Sequence, residues 1–225
     1  TFQRQVKLIP AYGQYVNLLG LDANTITRLE QIPFMPIQFF KNYRLSPEGQ
    51  SSSKYFESSG TSVAVRSKRY VLQPEWYFTS AKTGFEMRFG KLNQFCFLGL
   101  LPHYLEQGNS SLVSMVRFFM EESAHPANGF YLNNLPDLNE RLITLKAEKT
   151  PVVLFGVAYA LLDFATKFPQ NLEDIILIET GGMKGRGKEL TREELHEKLQ
   201  SAFGLKQVFS EYGMTELYSQ AYTLG

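Results

Sequence analysis

Short runs of consecutive apolar residues, each followed by a helix-like segment, constrain the fold of this chain most strongly. Three of these runs occupy residues 95–101, 152–156 and 175–178. A strand that is buried on both faces has a continuous apolar sequence, and its alternation with helices indicates parallel pairing through right-handed crossovers. The sequence therefore predicts an α/β fold with a mainly parallel sheet flanked by helices.

Helix-forming segments alternate with these strands. Residues 112–122 have amphipathic spacing, and residues 158–167 directly follow an apolar run. The segment Thr191-Arg-Glu-Glu194 has the spelling of a capping box and is predicted to open a helix that ends near Phe203. Residues 208–209 are predicted to form a last short strand. Ligands of such sheets bind at the carboxyl ends of the strands, so the polar segments after the strands are the first candidates for function.

The first third of the chain has weaker patterns. Asp22 is predicted to cap a short helix that runs through Glu30. Residues 46–53 are rich in Ser, Gly and Pro and predict a loop, and a helical pattern resumes after Pro74.

Charge and hydropathy exclude several classes of partner. The 225 residues carry 23 Lys and Arg against 22 Asp and Glu, which leaves a formal charge of +1 and no global attraction to nucleic acid. The longest apolar stretch, residues 152–165, is shorter than a membrane span and contains Asp163. We therefore expect no nucleic-acid partner and no membrane span, and a cytoplasmic location.

Cys96 is the single cysteine of the chain. It has no partner for a disulfide within the chain, which fits a reducing compartment. Because it lies in an apolar strand, we expect a buried and unreactive thiol with a raised pKa. Cys96 is therefore not a candidate nucleophile.

The first candidate segment is a cluster of hydroxyls around a glycine. Such a segment supplies several hydrogen-bond donors and lets the backbone approach an anion closely, as a phosphate-cradling loop requires. Ser- and Gly-rich loops are also common without any ligand. The segment consists of Ser58, Ser59, Gly60, Thr61 and Ser62.

The second candidate segment is the paired glycine Gly181-Gly182, which follows the apolar run at 175–178 and Glu179. Glycines at this place allow the main chain to lie flat against a planar ligand, or simply to turn sharply at the edge of the sheet. Lys184, Arg186 and Lys188 follow and suit either a polyphosphate or a solvated basic loop.

The third candidate segment, Tyr212-Gly-Met-Thr-Glu216, is the most specific. It combines an aromatic stacking surface, a hydroxyl and a carboxylate within a few residues. A carboxylate beside nucleotide phosphates is a common way for proteins to hold Mg²⁺. A turn with a solvated Glu216 is the alternative interpretation.

In this order, the three segments resemble the signature of the adenylate-forming superfamily, the acyl and aryl ligases that convert a carboxylate and ATP into an acyl-adenylate and pyrophosphate. The first segment resembles the phosphate loop of that superfamily, the second its adenine-contacting turn, and the third its Tyr-Gly-x-Thr-Glu motif. The resemblance covers nearly the whole chain. It is nearest to the acyl-protein synthetase component of bacterial luminescence fatty-acid reductases, through residues 32–36, 98–102, 109–113 and 212–222.

The resemblance implies a role for each candidate residue. Thr215 would hydrogen-bond the α-phosphate of ATP, and Glu216 would hold Mg²⁺. Tyr212 and Gly213 would lie against the adenine. The remaining candidates are Gly181 and Gly182 for the same side of the adenine, and Ser58, Ser59, Gly60, Thr61 and Ser62 for the β- and γ-phosphates.

The same resemblance implies the activity and its partners. It indicates an acyl-protein synthetase (an acyltransferase of the adenylate-forming type) that activates a long-chain fatty acid or related carboxylic acid to acyl-AMP. The acyl group would then pass to a protein cysteine or another acceptor. An acyl-accepting or reductase protein is the expected partner.

The resemblance also implies the domain organisation. Residues 1–225 would be the large N-terminal domain, incomplete at both ends, with a sub-boundary near residues 50–70 at the phosphate loop. The mobile C-terminal lid with its catalytic lysine, the ribose-binding aspartate and the acyl-accepting cysteine of the family would lie beyond Gly225. We therefore expect the chain to be inactive by itself.

Some residues depart from the family pattern and keep alternatives open. Val63 follows Ser62 where the family usually continues with a glycine and then a lysine. One alternative is an aryl or acyl ligase that forms a thioester with coenzyme A. Another is a non-catalytic nucleotide- or partner-binding module of the same fold. His103 and Tyr104 suit either an acyl pocket or ordinary packing, and the three isolated histidines do not make a zinc site.

Overall fold

The structure is a computed structural model that describes residues 1–50, 52, 54–58, 65–102, 108–132, 134–181 and 190–223. The chain forms two compact units, Thr1–Pro74 and Glu75–Gly225. The predicted phosphate loop belongs to the first unit, and the two other candidate segments belong to the second.

The first unit is helical at its start and ends in a small sheet. Its helices are α1 (Phe2–Leu8), α2 (Pro10–Leu18), a 3₁₀ turn (Leu29–Gln31) and the short α3 (Phe39–Asn42). Strand β1 (Tyr55–Glu57) pairs antiparallel with β2 (Lys68–Tyr70).

The helix predicted from Asp22 through Glu30 is wrong. The Asp22 side chain accepts a hydrogen bond from the backbone N–H of Asn24 at 2.9 Å, and the Thr25 N–H bonds the Asp22 carbonyl at 3.1 Å. These local bonds close a turn. Short polar side chains compete for backbone groups in this way, and the helix does not propagate.

The second unit contains a six-stranded mixed sheet in the order β4-β3-β5-β6-β7-β8. The four pairings among β4, β3, β5, β6 and β7 are parallel, and the pairing of β7 with β8 is antiparallel. The prediction of an α/β fold with a mainly parallel sheet is confirmed. The strands are β3 (Cys96–Leu100), β4 (Gly129–Tyr131), β5 (Val152–Gly156), β6 (Ile176–Glu179), β7 (Phe209–Gly213) and β8 (Gln220–Tyr222).

Helices cover both faces of this sheet. On one face, Phe85 and Phe119 pack against Phe97 of β3, and Phe119 also contacts Phe155 of β5. On the other face, a helix carries His196 to within hydrogen-bonding distance of Ser210 in β7. The helices are α4 (Pro74–Phe89), a 3₁₀ turn (Leu92–Gln94), α5 (Ser111–Ser123), α6 (Leu135–Ala147), α7 (Ala158–Lys167) and α8 (Arg192–Phe203).

Sequence patterns located the central strands but not the edge strands. The bounds of β5 and α7 match their predictions, and Thr191 and Glu194 form the predicted capping box of α8. Strands β4 and β8 were not predicted because each is three residues long and half-buried or exposed, without an apolar run. In the described part of the chain, no helix is long and apolar enough to cross a membrane.

Candidate functional site

Two neighbouring strands of the second unit bring two candidate segments to the same edge of the sheet. Strands β6 and β7 are parallel, with Ile178 paired to Phe209 and Glu179 paired to Ser210. The Gly181 turn follows β6, and the segment from Met214 to Glu216 follows β7. Because parallel strands end at one edge, both segments lie at the carboxyl edge of the sheet, where ligands of such sheets bind.

The turn at Gly181 has a conformation and an exposure that suit close contact with a planar group. Gly181 has φ +66°, a value that L-residues with a side chain rarely adopt. A Cβ built at this position would meet no heavy atom of the described residues within 4 Å. The Gly181 N–H donates to Glu179 Oε2 at 2.6 Å, which holds the turn against the end of β6. Gly182 lies outside the described residues.

The buried carboxylate Glu179 links β6, β7 and α8. Its Oε1 lies 3.5 Å from His196 Nε2, and the same nitrogen lies 3.2 Å from Ser210 Oγ. A catalytic Ser–His–acid triad needs the serine and the acid on different ring nitrogens. Here both contact Nε2, so this cluster fixes the edge of the sheet and does not form a nucleophilic triad.

Tyr212 and Gly213 are the last residues of β7, and the segment that starts at Met214 connects this strand to β8 of the hairpin. The Tyr212 side chain is 61% exposed, and its hydroxyl donates to Met214 Sδ at 3.0 Å. The Leu217 N–H bonds the Met214 carbonyl at 3.0 Å and closes a turn, in which Thr215 is buried and Glu216 is half-buried. The loop therefore presents an accessible aromatic ring next to a hydroxyl and a carboxylate.

A second carboxyl, Glu211, lies on the opposite face of the sheet from Glu179. It is the register partner of Tyr222 in β8. Burial, and then the negative charge of Glu179, raise the pKa of Glu211 to about 7. Burial and the charge of Glu211 also raise the pKa of Tyr222 well above its ordinary value.

Tyr77 of α4 ties this face to the hairpin. Its hydroxyl donates to the Ser111 carbonyl at 3.0 Å and accepts from Gln220 Nε2 at 3.0 Å. Burial raises the pKa of Tyr77, and the Glu211 charge adds to that effect. The hairpin is thus anchored to the helix layer through polar groups as well as through the rings of Phe85, Phe89 and Tyr222.

The first candidate segment, the predicted phosphate loop, begins in the first unit. The Ser58 N–H donates to the Ser67 carbonyl, and Ser58 Oγ accepts from the Ser67 N–H, both at 3.0 Å. Glu57 lies 3.4 Å from the guanidinium of Arg66 and 3.8 Å from Lys68 Nζ. The base of the loop is therefore closed by Ser58 itself. Ser59, Gly60, Thr61 and Ser62 lie outside the described residues.

The oxygen ligands available fit a Mg²⁺ ion that is shared with phosphates. Among the described residues, no three His, Cys, Asp or Glu side chains converge on a point where they would hold a metal. Glu216 supplies one hard carboxylate at the carboxyl edge of the sheet. Mg²⁺ typically binds one or two carboxylates and completes its shell with water and substrate phosphates, so this donor set suits it.

Sequence reasoning missed the residues that organise the site. No role was predicted for Glu179, Glu211 or Tyr222, and His196 was given no partner. Their contacts join residues far apart in the chain, up to the 143 positions between Tyr77 and Gln220. One signal was available for Glu179, since an acidic residue at the end of a buried strand is unusual.

Comparisons with known proteins do not identify a family. The chain matches no protein-family model, and a search of curated proteins gives no significant match. His103 and Tyr104 lie outside the described residues, so the predicted acyl pocket has no structural description.

Proposed function

We propose that this chain carries the nucleotide-binding part of an enzyme that activates a carboxylic acid with ATP. The carboxylate oxygen attacks the α-phosphorus in line, a new O–P bond forms, and the bond to the bridging oxygen breaks as pyrophosphate leaves. The products are acyl-AMP and pyrophosphate. The resemblance in sequence points to a long-chain fatty acid, with transfer of the acyl group to a protein cysteine or another acceptor.

The adjacency of the Gly181 turn and the Tyr212–Glu216 loop is the observation that supports this function. The two segments are far apart in sequence but follow paired parallel strands. Together they offer an open glycine turn and an exposed tyrosine ring for a planar base, with a hydroxyl and a carboxylate beside them. This is the combination that binding of a nucleoside polyphosphate requires.

Each residue then has a defined task. Tyr212 and Gly181 bind the adenine. Gly182 and Gly213 have no side chain and would let the main chain approach the base closely. Thr215 hydrogen-bonds the α-phosphate and orients it for in-line attack. By the resemblance in sequence, Ser58 and the hydroxyls that follow it would bind the β- and γ-phosphates. Glu216 holds Mg²⁺, which would neutralise the charge that develops on the phosphates.

Pyrophosphate exchange tests the proposal. The full-length protein, supplied with Mg²⁺ and a panel of carboxylic acids that includes long-chain fatty acids, should exchange labelled pyrophosphate into ATP. Glu216→Ala should lower the exchange rate by about 100-fold or more, because the metal loses its protein ligand. Glu121→Ala, an exposed glutamate in α5, is the matched control and should leave the rate unchanged.

The product identifies the acceptor. Acyl transfer to protein supports the acyl-protein synthetase, whereas a thioester formed with added coenzyme A would make the protein an acyl- or aryl-CoA ligase. Absence of exchange with every acid would contradict the enzymatic function. Calorimetry with ATP and Mg²⁺ would then decide whether a non-catalytic nucleotide-binding module remains.

A further inference from the structure

The face of the β7–β8 hairpin that packs on α4 carries a polar cluster that the proposed chemistry does not use. Glu211 and Tyr222 are register partners on antiparallel strands, so their side chains share this face. Gly213 and Gln220 are also register partners, two residues closer to the loop, so they lie on the same face. We call Glu211, Gln220, Tyr222 and Tyr77 the hairpin cluster.

The Glu211 carboxyl folds along its own strand onto Gly213. A Cβ built on Gly213 would lie 2.5 Å from Glu211 Oε1 and 3.7 Å from Gln220 Cγ. The carboxyl therefore fills the space that the side chain of any other residue at position 213 would occupy. Glu211 thus contacts the strand residue from which the Met214–Glu216 turn departs.

Buried polar atoms in this region lack a partner for hydrogen bonding. Among the described residues, no group bonds to Gln220 Oε1, to the Tyr222 hydroxyl or to Thr180 Oγ1. The Gln220 amide nitrogen is already bound to Tyr77, which leaves its oxygen as an acceptor without a donor. A neutral carboxyl at Glu211 carries an O–H donor, whereas an ionised one offers acceptors alone.

Electrostatics favour the same neutral form. Glu179 in β6 contributes a negative charge to the surroundings of Glu211, and Tyr77 in α4 and Tyr222 in β8 contribute hydroxyls. Arg88 of α4 lies over the ring of Phe209, on the same face of β7, at 5.2 Å from the ring centroid. Burial and the Glu179 charge together bring the pKa of Glu211 to about 7. Glu179 itself accepts from the Gly181 N–H, and its Oε1 lies 3.5 Å from Nε2 of His196 in α8.

We propose that Glu211 is a positioning residue whose neutral form fixes the β7–β8 hairpin, and with it Thr215 and Glu216, in the geometry that binds ATP. The inference rests on the proposed function and deepens it by adding a proton-dependent control of the nucleotide site. Ionised Glu211 places a second negative charge near Glu179 within this buried cluster, against the last residue of β7. The hairpin then loses its fixed position.

The size of the effect follows from the population of the neutral form. With a pKa of about 7, the neutral fraction of Glu211 falls from about nine-tenths at pH 6 to about one-tenth at pH 8. If ATP binds the neutral form alone, its apparent Kd rises about tenfold over this range.

The test compares the full-length protein with Glu211→Gln and Glu211→Ala. ATP binding in the presence of Mg²⁺ is measured by calorimetry between about pH 6 and pH 8. The Kd of the wild type should rise about tenfold more over this range than the Kd of Glu211→Gln, whose side chain stays neutral and keeps a donor. Glu211→Ala should bind weakly at every pH because the hairpin contacts are gone. Glu121→Gln, at an exposed position of α5, should follow the wild type. Parallel profiles for wild type and Glu211→Gln would overturn the inference.

Unfolding experiments separate this inference from the proposed function. The folded-state pKa of Glu211 lies above its ordinary value of 4.5, so the wild type loses stability as pH rises from about 4.5 to about 7. The stability of Glu211→Gln relative to wild type should therefore grow across that window and then level off. A rising difference without ATP binding would contradict the nucleotide function but keep Glu211 as a proton-dependent clamp of the hairpin. A stability difference between Glu211→Gln and wild type that stays constant with pH would contradict a proton-dependent role of Glu211.

Discussion

At the residue scale, two carboxyls of the same sheet edge have different surroundings and different tasks. Glu179 accepts from the Gly181 N–H and lies near His196, so its charge holds the turn after β6. Glu211 lies on the opposite face among tyrosines and is the group whose pKa rises. Burial and a neighbouring charge, and not the residue type, raise the pKa of Glu211.

Cys96 gives a direct test of burial at the same scale. Its side chain is buried in β3, and burial raises the pKa of the thiol to about 11, against a small opposing effect of Arg141. From the ordinary value of 9.0, the thiolate fraction at about pH 8 falls about 100-fold. We expect a disulfide reagent to label the native protein at least about 100-fold more slowly than the denatured protein. Equal rates in the two states would contradict the buried position of Cys96.

At the element scale, helix α8 has a local start signal and a distant function. Thr191 Oγ1 accepts from the Glu194 N–H at 3.2 Å, and Glu194 Oε2 accepts from the Thr191 N–H at 2.8 Å. This reciprocal capping sets where the helix begins and hence where His196 faces the sheet. The sequence specifies where the helix begins, and packing specifies which residues of the sheet His196 contacts.

Thr191→Ala should therefore destabilise the protein. It removes the acceptor for the Glu194 N–H, and loss of such a cap costs about 1 kcal/mol in the free energy of unfolding. Thr166→Ala is the matched control, because Thr166 is an exposed threonine inside α7 that bonds the Leu162 carbonyl. Denaturant unfolding should give a loss for Thr191→Ala and no loss for the control. Equal effects would contradict the capping role.

At the scale of the whole molecule, the second unit depends on close packing of helices on the sheet. Gly156 ends the central strand β5, and a Cβ there would lie 2.5 Å from Leu161 Cδ2 and 2.6 Å from its Cγ. Leu161 of α7 is fully buried and cannot move aside without displacing its neighbours. The glycine lets α7 begin close against the strand.

Gly156→Ala should destabilise the unit by about 1–3 kcal/mol, the usual cost of overpacking a core. Gly129→Ala in β4 is the control, since its Cβ would meet atoms at 3.7 Å or beyond, an ordinary contact distance. Combining Gly156→Ala with Leu161→Ala should cost less than the sum of the single changes, because the second substitution removes the clash. Additive losses in equilibrium unfolding would show that Gly156 and Leu161 do not interact.

The sequence by itself determined the parts of this protein that depend on local pattern. Continuous apolar runs located β3, β5 and β6, the Thr191 box located α8, and glycines marked the turns after β6 and β7. These features follow from burial of both sheet faces and from backbone hydrogen bonding within a few residues. The α/β class and the grouping of two candidate segments at one edge follow from them.

The tertiary structure decided what surrounds those segments. The contacts of Glu179 with His196, and of Tyr77 with Gln220, join residues that no local pattern relates. Register then placed Glu211 opposite Tyr222 and folded its carboxyl onto Gly213. Desolvation and the charge of a neighbouring carboxylate depend on this three-dimensional packing, so the protonation of Glu211 is a property of the folded unit and not of its sequence motif.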